Sequence, residues 1–405
     1  MIMKKYIIIA AAALVAATAC SKVETVETPD EAISFKVANY TPATRAEVSL
    51  NSEEIYQFKT WAWVHPNGGA TGEAFMVGET VTPDNNNAPT AWVPSRAYYW
   101  PKNKDSYINV FSFTSNGDTP KVPTVVNEGA FKYDGATIEP TDNILAAEAA
   151  YGYKANVTTY QPVSGVEAGV PTLFHHLLSQ VKFDVKLDAQ KDLDGKTISD
   201  KYSFKVVINS ATVTYANKGS LTLNFSAPSS LPGQSPFTTE ANYIGWEKTA
   251  DAAANTLAPK STDAIMTDGI TVKGGSVSTT TTLIDWSSVM PQVLGKLAEA
   301  ATETTEATPA TGDVKIALTY TLTTTYKNSD SATDPLNTEF SEQIVIPATP
   351  LTAFNDAIDS WYMNYKYIYH ITIKAVDAKQ IIFDPAVVEW IPSATEPTFT
   401  VPVNE

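Results

Sequence analysis

The chain has 405 residues, with 44 acidic against 28 basic side chains and a formal net charge of −16. That balance argues against nucleic acid as a partner, because phosphate binding needs clustered positive charge. A single cysteine excludes an internal disulfide, so the fold rests on burial, and the length suffices for two domains.

In chain order, Lys4 and Lys5 precede an apolar run from Tyr6 to Ala19, too short to span a membrane as a helix. Small residues Ala17-Thr18-Ala19 then lead into Cys20, the lone thiol. This layout predicts residues 1–20 to be a bacterial lipoprotein signal, with Cys20 lipidated, although Ala17 stands where leucine is usual. Residues 21–32 are polar and acidic, a tether. Ile33, Phe35 and Val37 alternate with polar residues, which predicts a half-buried strand.

Arginine occurs only twice, as Arg45 and Arg96. Arg45 lies in the Pro-containing stretch Tyr40–Ala46, an expected linker, and cutting between Arg45 and Ala46 would release everything before it. Arg96 adjoins Ala97-Tyr98-Tyr99-Trp100, an aromatic run that reads as a buried strand.

Further strands are expected at 58–64, with Trp61 and Trp63 on one face, and at 107–113, with Phe111 and Phe113 opposite Ile108 and Val110. The run from Phe174 to Leu187 ends in strict alternation, and the turn-rich segment 188–200 marks the expected boundary between domains 46–188 and 189–405. Strands follow at 202–215, 221–225, 315–326 and 365–375, with a helix interrupted at Pro291 expected over 287–300 and a loop over 301–312. Many short strands with turn signals between them predict an all-β chain of two β-sandwiches in tandem.

Chemistry-bearing motifs are sparse. Gly195-Lys196-Thr197 lacks the glycine a phosphate loop needs at position 190, which is Gln190. There is no HExxH and no GxSxG. Adjacent His175 and His176 would point to opposite faces of a strand, and Asp188, Asp192 and Asp194 do not close a calcium loop. No enzyme, metal or cofactor is expected. Aromatics such as Tyr98-Tyr99-Trp100 suit a core better than a sugar-stacking platform.

Taken in order, several segments resemble the fimbrillin family, whose members build type V pili on Gram-negative anaerobes. They are the signal ending at Cys20, the strand 33–37, Thr44-Arg45-Ala46, Tyr98-Tyr99-Trp100-Pro101, the Phe174–Leu187 run, Trp361 with the strand Tyr367–Ile373, and Val388-Glu389-Trp390. The resemblance implies two transthyretin-like β-sandwich domains and export to the outer membrane as a lipoprotein. It implies cleavage after Arg45 by an arginine-specific protease, which removes propeptide 21–45 and opens a groove. The C-terminal strand of another copy then fills the groove, and the mature form stands at the cell surface in fimbriae with accessory anchor and tip pilins.

The residues support this independently. The displaced strand offers Ile33, Phe35 and Val37, and the tail offers Phe399, Val401 and Val403 at the same spacing, so one set can replace the other. Pro402 suits an inserted or edge strand. The alternatives are a cell-surface anchor subunit that keeps its lipid, or a glycan-binding surface lipoprotein.

Overall fold

The computed structural model describes residues 32–39, 57–85, 91–103, 105–116, 120–153, 169–225, 244–249, 254–296, 311–329, 331, 333–353, 358–376 and 381–389. Their regular structure is almost entirely β, with one four-residue α-turn at Ala264–Thr267 and short 3-10 turns at Pro66–Gly68 and Leu351–Ala353. The first group of strands is β1 (Phe35–Asn39), β2 (Phe58–His65), β3 (Glu73–Pro83), β4 (Trp92–Pro94), β5 (Tyr107–Ser115), β6 (Val125–Asn127), β7 (Ala130–Thr137), β8 (Ile144–Ala147), β9 (Ala150–Tyr153) and β10 (Val170–His176). The chain continues through β11 (Ser179–Asp188), β12 (Tyr202–Ala216), β13 (Lys218–Asn224), β14 (Trp246–Lys248), β15 (Ala254–Leu257), β16 (Ile270–Lys273) and β17 (Thr281–Val289). It ends with β18 (Gln292–Val293), β19 (Lys315–Tyr326), β20 (Thr338–Pro350), β21 (Ser360–Trp361), β22 (Tyr365–Lys374) and β23 (Ile381–Glu389).

The first sheet closes on itself. Its strands pair in the order β2-β3-β4-β1-β10-β8-β5, and β5 pairs back to β2, with β9 alongside β5. Alternation in β5 explains why both of its faces are apolar. Ile108 and Val110 belong to the same core cluster as Ile33, Phe35, Phe58, Trp92 and Phe174. Phe111 and Phe113 point the other way, onto a sheet ordered β14-β13-β7-β6, where they meet Phe131, Leu221, Leu223 and Trp246.

Tyr133 of β7 lies in that second cluster, 2% exposed, with no hydrogen-bond partner for its hydroxyl among the described residues. Burial pushes its pKa far up. An unpaired buried hydroxyl costs free energy. Tyr133→Phe is therefore expected to leave stability unchanged or raise it by about 1 kcal/mol, as read from the urea midpoint. A loss of about 2 kcal/mol or more would mean that the hydroxyl has a partner.

The later strands form a two-sheet sandwich. Sheet β17-β11-β22-β23 packs on sheet β15-β12-β19-β20, and β16 also pairs with β12. The alternating residues Val181, Phe183, Val185 and Leu187 are all buried there, as are Tyr367, Tyr369, Ile371 and Ile373 on the parallel neighbour β22. Phe183 and Tyr369 stack at 4.8 Å. Facing them are Val206, Ile208, Val213, Ile316, Leu318 and Tyr320. The switch between the two groups of sheets falls at Leu177-Leu178, both fully buried, between β10 and β11. In return, β13 and β14 pair into the β6–β7 sheet.

Two expectations are corrected. Residues 287–296 are not helical: β17 runs to Val289, and after Pro291 the chain forms β18 against β21. The reason is pairing. Ser288 N donates to Pro140 O, and the Gln292 side chain bonds Ala216 on both its N–H and its C=O, fixing an extended chain that helix propensity would otherwise contest. Nor is Ala97–Trp100 a buried strand. Prolines flank it at 94 and 101, Ser95 and Arg96 bend, and Tyr99 is 47% exposed with one isolated bridge to Ala32.

Candidate strand-exchange site

The site is the place of β1 in the closed circuit. Its side chains are set by period two: Ile33 and Phe35 are each 1% exposed, and Val37 on the same face is half-buried against the same cluster. The Phe35 ring meets Phe58 edge-on at 5.5 Å, and Phe58 touches both Trp92 at 5.6 Å and Phe174 at 5.5 Å. Filling these two deep positions is worth about 1.5–3 kcal/mol each. Against a total stability of about 5–15 kcal/mol for a domain, that is a large share.

The backbone of β1 is held unequally on its two sides. It runs parallel to β10 over five register pairs, from Phe35↔Val170 to Asn39↔Phe174. Val170 N donates to Ser34 O at 2.8 Å. On the other side the register with β4 is a single pair, Phe35↔Trp92. Just before it, Ile33 N donates to Tyr98 O at 2.7 Å, and Ala32 bridges Tyr99. Parallel pairing with β10 is non-local, and nothing in the alternation of 33–37 alone names that neighbour.

Beside this edge lies a polar clasp that the sequence reading missed. Arg96 Nε donates to the Tyr98 hydroxyl at 2.6 Å, and that hydroxyl donates to Glu79 Oε2 at 2.9 Å. The Arg96 guanidinium also sits 4.7 Å from the Tyr98 ring centre and 3.5 Å from Glu79. Burial works against the Glu79 charge, but hydrogen bonds from Ser95 and Tyr98 and the nearby Arg96 and Lys59 charges outweigh it and hold the carboxyl below its usual range. The available signal was Arg96 next to two tyrosines.

Of the residues expected to act, Ile33, Phe35 and Val37 are brought together on one core. Cys20, Arg45, Ala46, Phe399, Val401 and Val403 lie outside the described residues. Arg45 stands six positions after the end of β1 in the sequence.

Among the described residues no group of three or more His, Cys, Asp or Glu is placed to hold a metal. His65 Nε2 lies 2.6 Å from Glu128, which also accepts from Asn109 at 2.8 Å. His175 lies 3.1 Å from Glu148, and His176 lies 2.7 Å from Asn143. These pairs tie neighbouring strands and turns. Among the described residues no helix is long and apolar enough to cross a membrane.

No family model matches the chain, and no curated protein does. Solved structures do. One is a candidate cell adhesion protein from Bacteroides uniformis, 11% identical, covering 90% of this chain and 100% of that one with a TM-score of 0.42. Another is the tip fimbrial protein Mfa3 from Porphyromonas gingivalis with a C-terminal truncation, 9% identical over 89% of this chain and 100% of that one, TM-score 0.37. The fimbrial anchor protein Mfa2 from the same organism is 11% identical over 89% of this chain and 98% of that one, TM-score 0.27. These structural neighbours are cell adhesion candidates and fimbrial proteins of the Bacteroidales.

Proposed function

We propose that this chain is a structural subunit of a type V fimbria, exported as a lipoprotein on Cys20, cut between Arg45 and Ala46, and polymerised by exchange of one strand for another. The observation that carries this reading is that β1, the strand closing the first sheet, lies wholly ahead of Arg45. One cut in a linker would detach the strand that two neighbours and an aromatic pocket depend on. Two open edges and the Phe58–Trp92–Phe174 pocket would remain, and such edges seek a strand from elsewhere. The tail residues Phe399, Val401 and Val403 of a second copy have the spacing to fill it, with affinity from main-chain hydrogen bonds and selectivity from alternate side chains.

On this reading the mature subunit begins at Ala46 and has two domains. Its partners are other copies, anchor and tip pilins, and an arginine-specific protease. The precursor sits in the outer membrane through its lipid and the mature form at the cell surface, where it supports adhesion as a scaffold and not as an enzyme. N-terminal analysis of surface material tests the reading. A chain beginning at Ala46 is expected, and Arg45→Ala should leave full-length, folded, unpolymerised lipoprotein. A surface form beginning at lipidated Cys20 would count against the shaft role and favour an anchor, and fibres formed normally by Arg45→Ala would count against the mechanism.

A further inference from the structure

We propose that Arg96 is a second cleavage position, shut while a strand occupies the β1 place and opened when that place is empty. A subunit that loses its first strand and receives no replacement would then be cut at Arg96 and removed from the assembling population. This rests on the reading that β1 is released.

Arg96 is the only arginine besides Arg45. Its side chain is 70% exposed at the bend after β4, so the group an arginine-specific protease recognises is already in solvent. What is not free is the backbone around the scissile bond to Ala97. A protease binds several residues on each side in extended form, so this segment must lift away from the body. Tyr98, two residues on, holds it down. Its side chain is 7% exposed and packs edge-on to Phe75 at 5.2 Å. Its carbonyl accepts from Ile33 N, and the next residue, Tyr99, bridges Ala32. Both backbone anchors belong to the segment ahead of Arg45.

The other flank depends on the same strand. Before Arg96, β4 is three residues long and has two neighbours, β3 and β1. Loss of β1 leaves β4 held by β3 alone and strips the Tyr98 carbonyl of its donor. What remains is one backbone bond, Ser95 N to Thr80 O at 2.8 Å, and the Arg96–Tyr98–Glu79 clasp, whose Arg96 end is exposed, so the segment is then held from its β3 side alone. Cleavage tracks the population of the opened segment, so the cut rate should report whether the β1 place is filled. The reaction is ordinary hydrolysis: water attacks the Arg96 carbonyl carbon, the bond to the Ala97 nitrogen breaks, and a carboxylate and an amine result.

The experiment is a time course of the full-length chain with an arginine-specific endoprotease, new termini being counted by mass spectrometry. Ala46 should appear first. The Ala97 terminus should appear about tenfold or more slowly while the 1–45 fragment stays bound, and quickly once it has dissociated. Adding a synthetic peptide spanning Ala32–Asn39 should restore protection. In Arg45→Ala the Ala97 terminus should stay rare, and Phe35→Asp on that background should raise it by expelling the strand without any cut at 45. Far-UV circular dichroism checks that this variant keeps its sheets, and the peptide arm decides if it does not. An Ala97 terminus formed equally fast with the strand bound, or absent after the strand has left, would overturn the proposal. A 1–45 fragment that never leaves would instead overturn the fimbrial reading, and the Arg45→Ala, Phe35→Asp variant would still decide for Arg96.

Discussion

Phe35→Ala is expected to destabilise the full-length chain by about 3–5 kcal/mol and to leave the chain trimmed after Arg45 unaffected, because the trimmed chain no longer contains residue 35. The size follows from the site. Phe35 is 1% exposed and its ring touches Phe58, which in turn contacts Trp92 and Phe174. Truncating a buried phenylalanine loses its transfer free energy and leaves a cavity the aromatic walls fill only partly. A domain with about 5–15 kcal/mol to lose would be brought close to unfolding. Urea midpoints of the two forms check this. If Phe35→Ala costs under about 1 kcal/mol in the full-length chain, the strand does not hold the circuit shut.

The second large effect concerns assembly. Deleting 399–405 is expected to abolish polymerisation after cleavage while leaving the monomer folded, since the tail's main partner is another copy. Val401→Asp should do nearly the same, because burying an unpaired carboxylate in an apolar groove costs several kcal/mol, about 3 or more. Thr400→Ser, on the alternate face, should assemble normally. Fibre length by electron microscopy and stability by urea titration separate the two consequences. A deletion that unfolds the monomer would show the tail to be a strand of its own domain.

The strands with strong alternation were legible in the sequence. β19 and β22 lie where Ile316, Leu318, Tyr320 and Leu322, or Tyr367, Tyr369, Ile371 and Ile373, recur at period two, and all eight are buried. Ile33, just ahead of β1, and Phe35 within it were legible for the same reason. Closure of the first sheet was not. It needs parallel pairing of residues 35–39 with 170–174 and antiparallel pairing of β2 with β5, and such non-local contacts leave no mark on local periodicity. The helix expected over 287–300 does not form at 287–296, because Leu, Ala and Gln beyond Pro291 mimic helix composition while the bond from Ser288 N to Pro140 O and the bonds between Gln292 and Ala216 dictate the backbone. At Tyr98-Tyr99-Trp100 aromatic content suggested a strand, yet the adjoining prolines and the bend at Arg96 left an irregular edge that β1 covers.

On the proposed mechanism the β1 place is filled, emptied and filled again by a strand from another copy. Amide hydrogen exchange in β10 reads it directly, starting from Val170, whose N–H donates to Ser34 O. Exchange at Val170, and at Thr172 two positions on and on the same side, Pro171 between them having no N–H, should be slow in the precursor, fast in the trimmed monomer and slow again in the assembled fibre. Equally slow exchange in all three forms would contradict the account, since β10 would then be protected by something other than the strand ahead of Arg45.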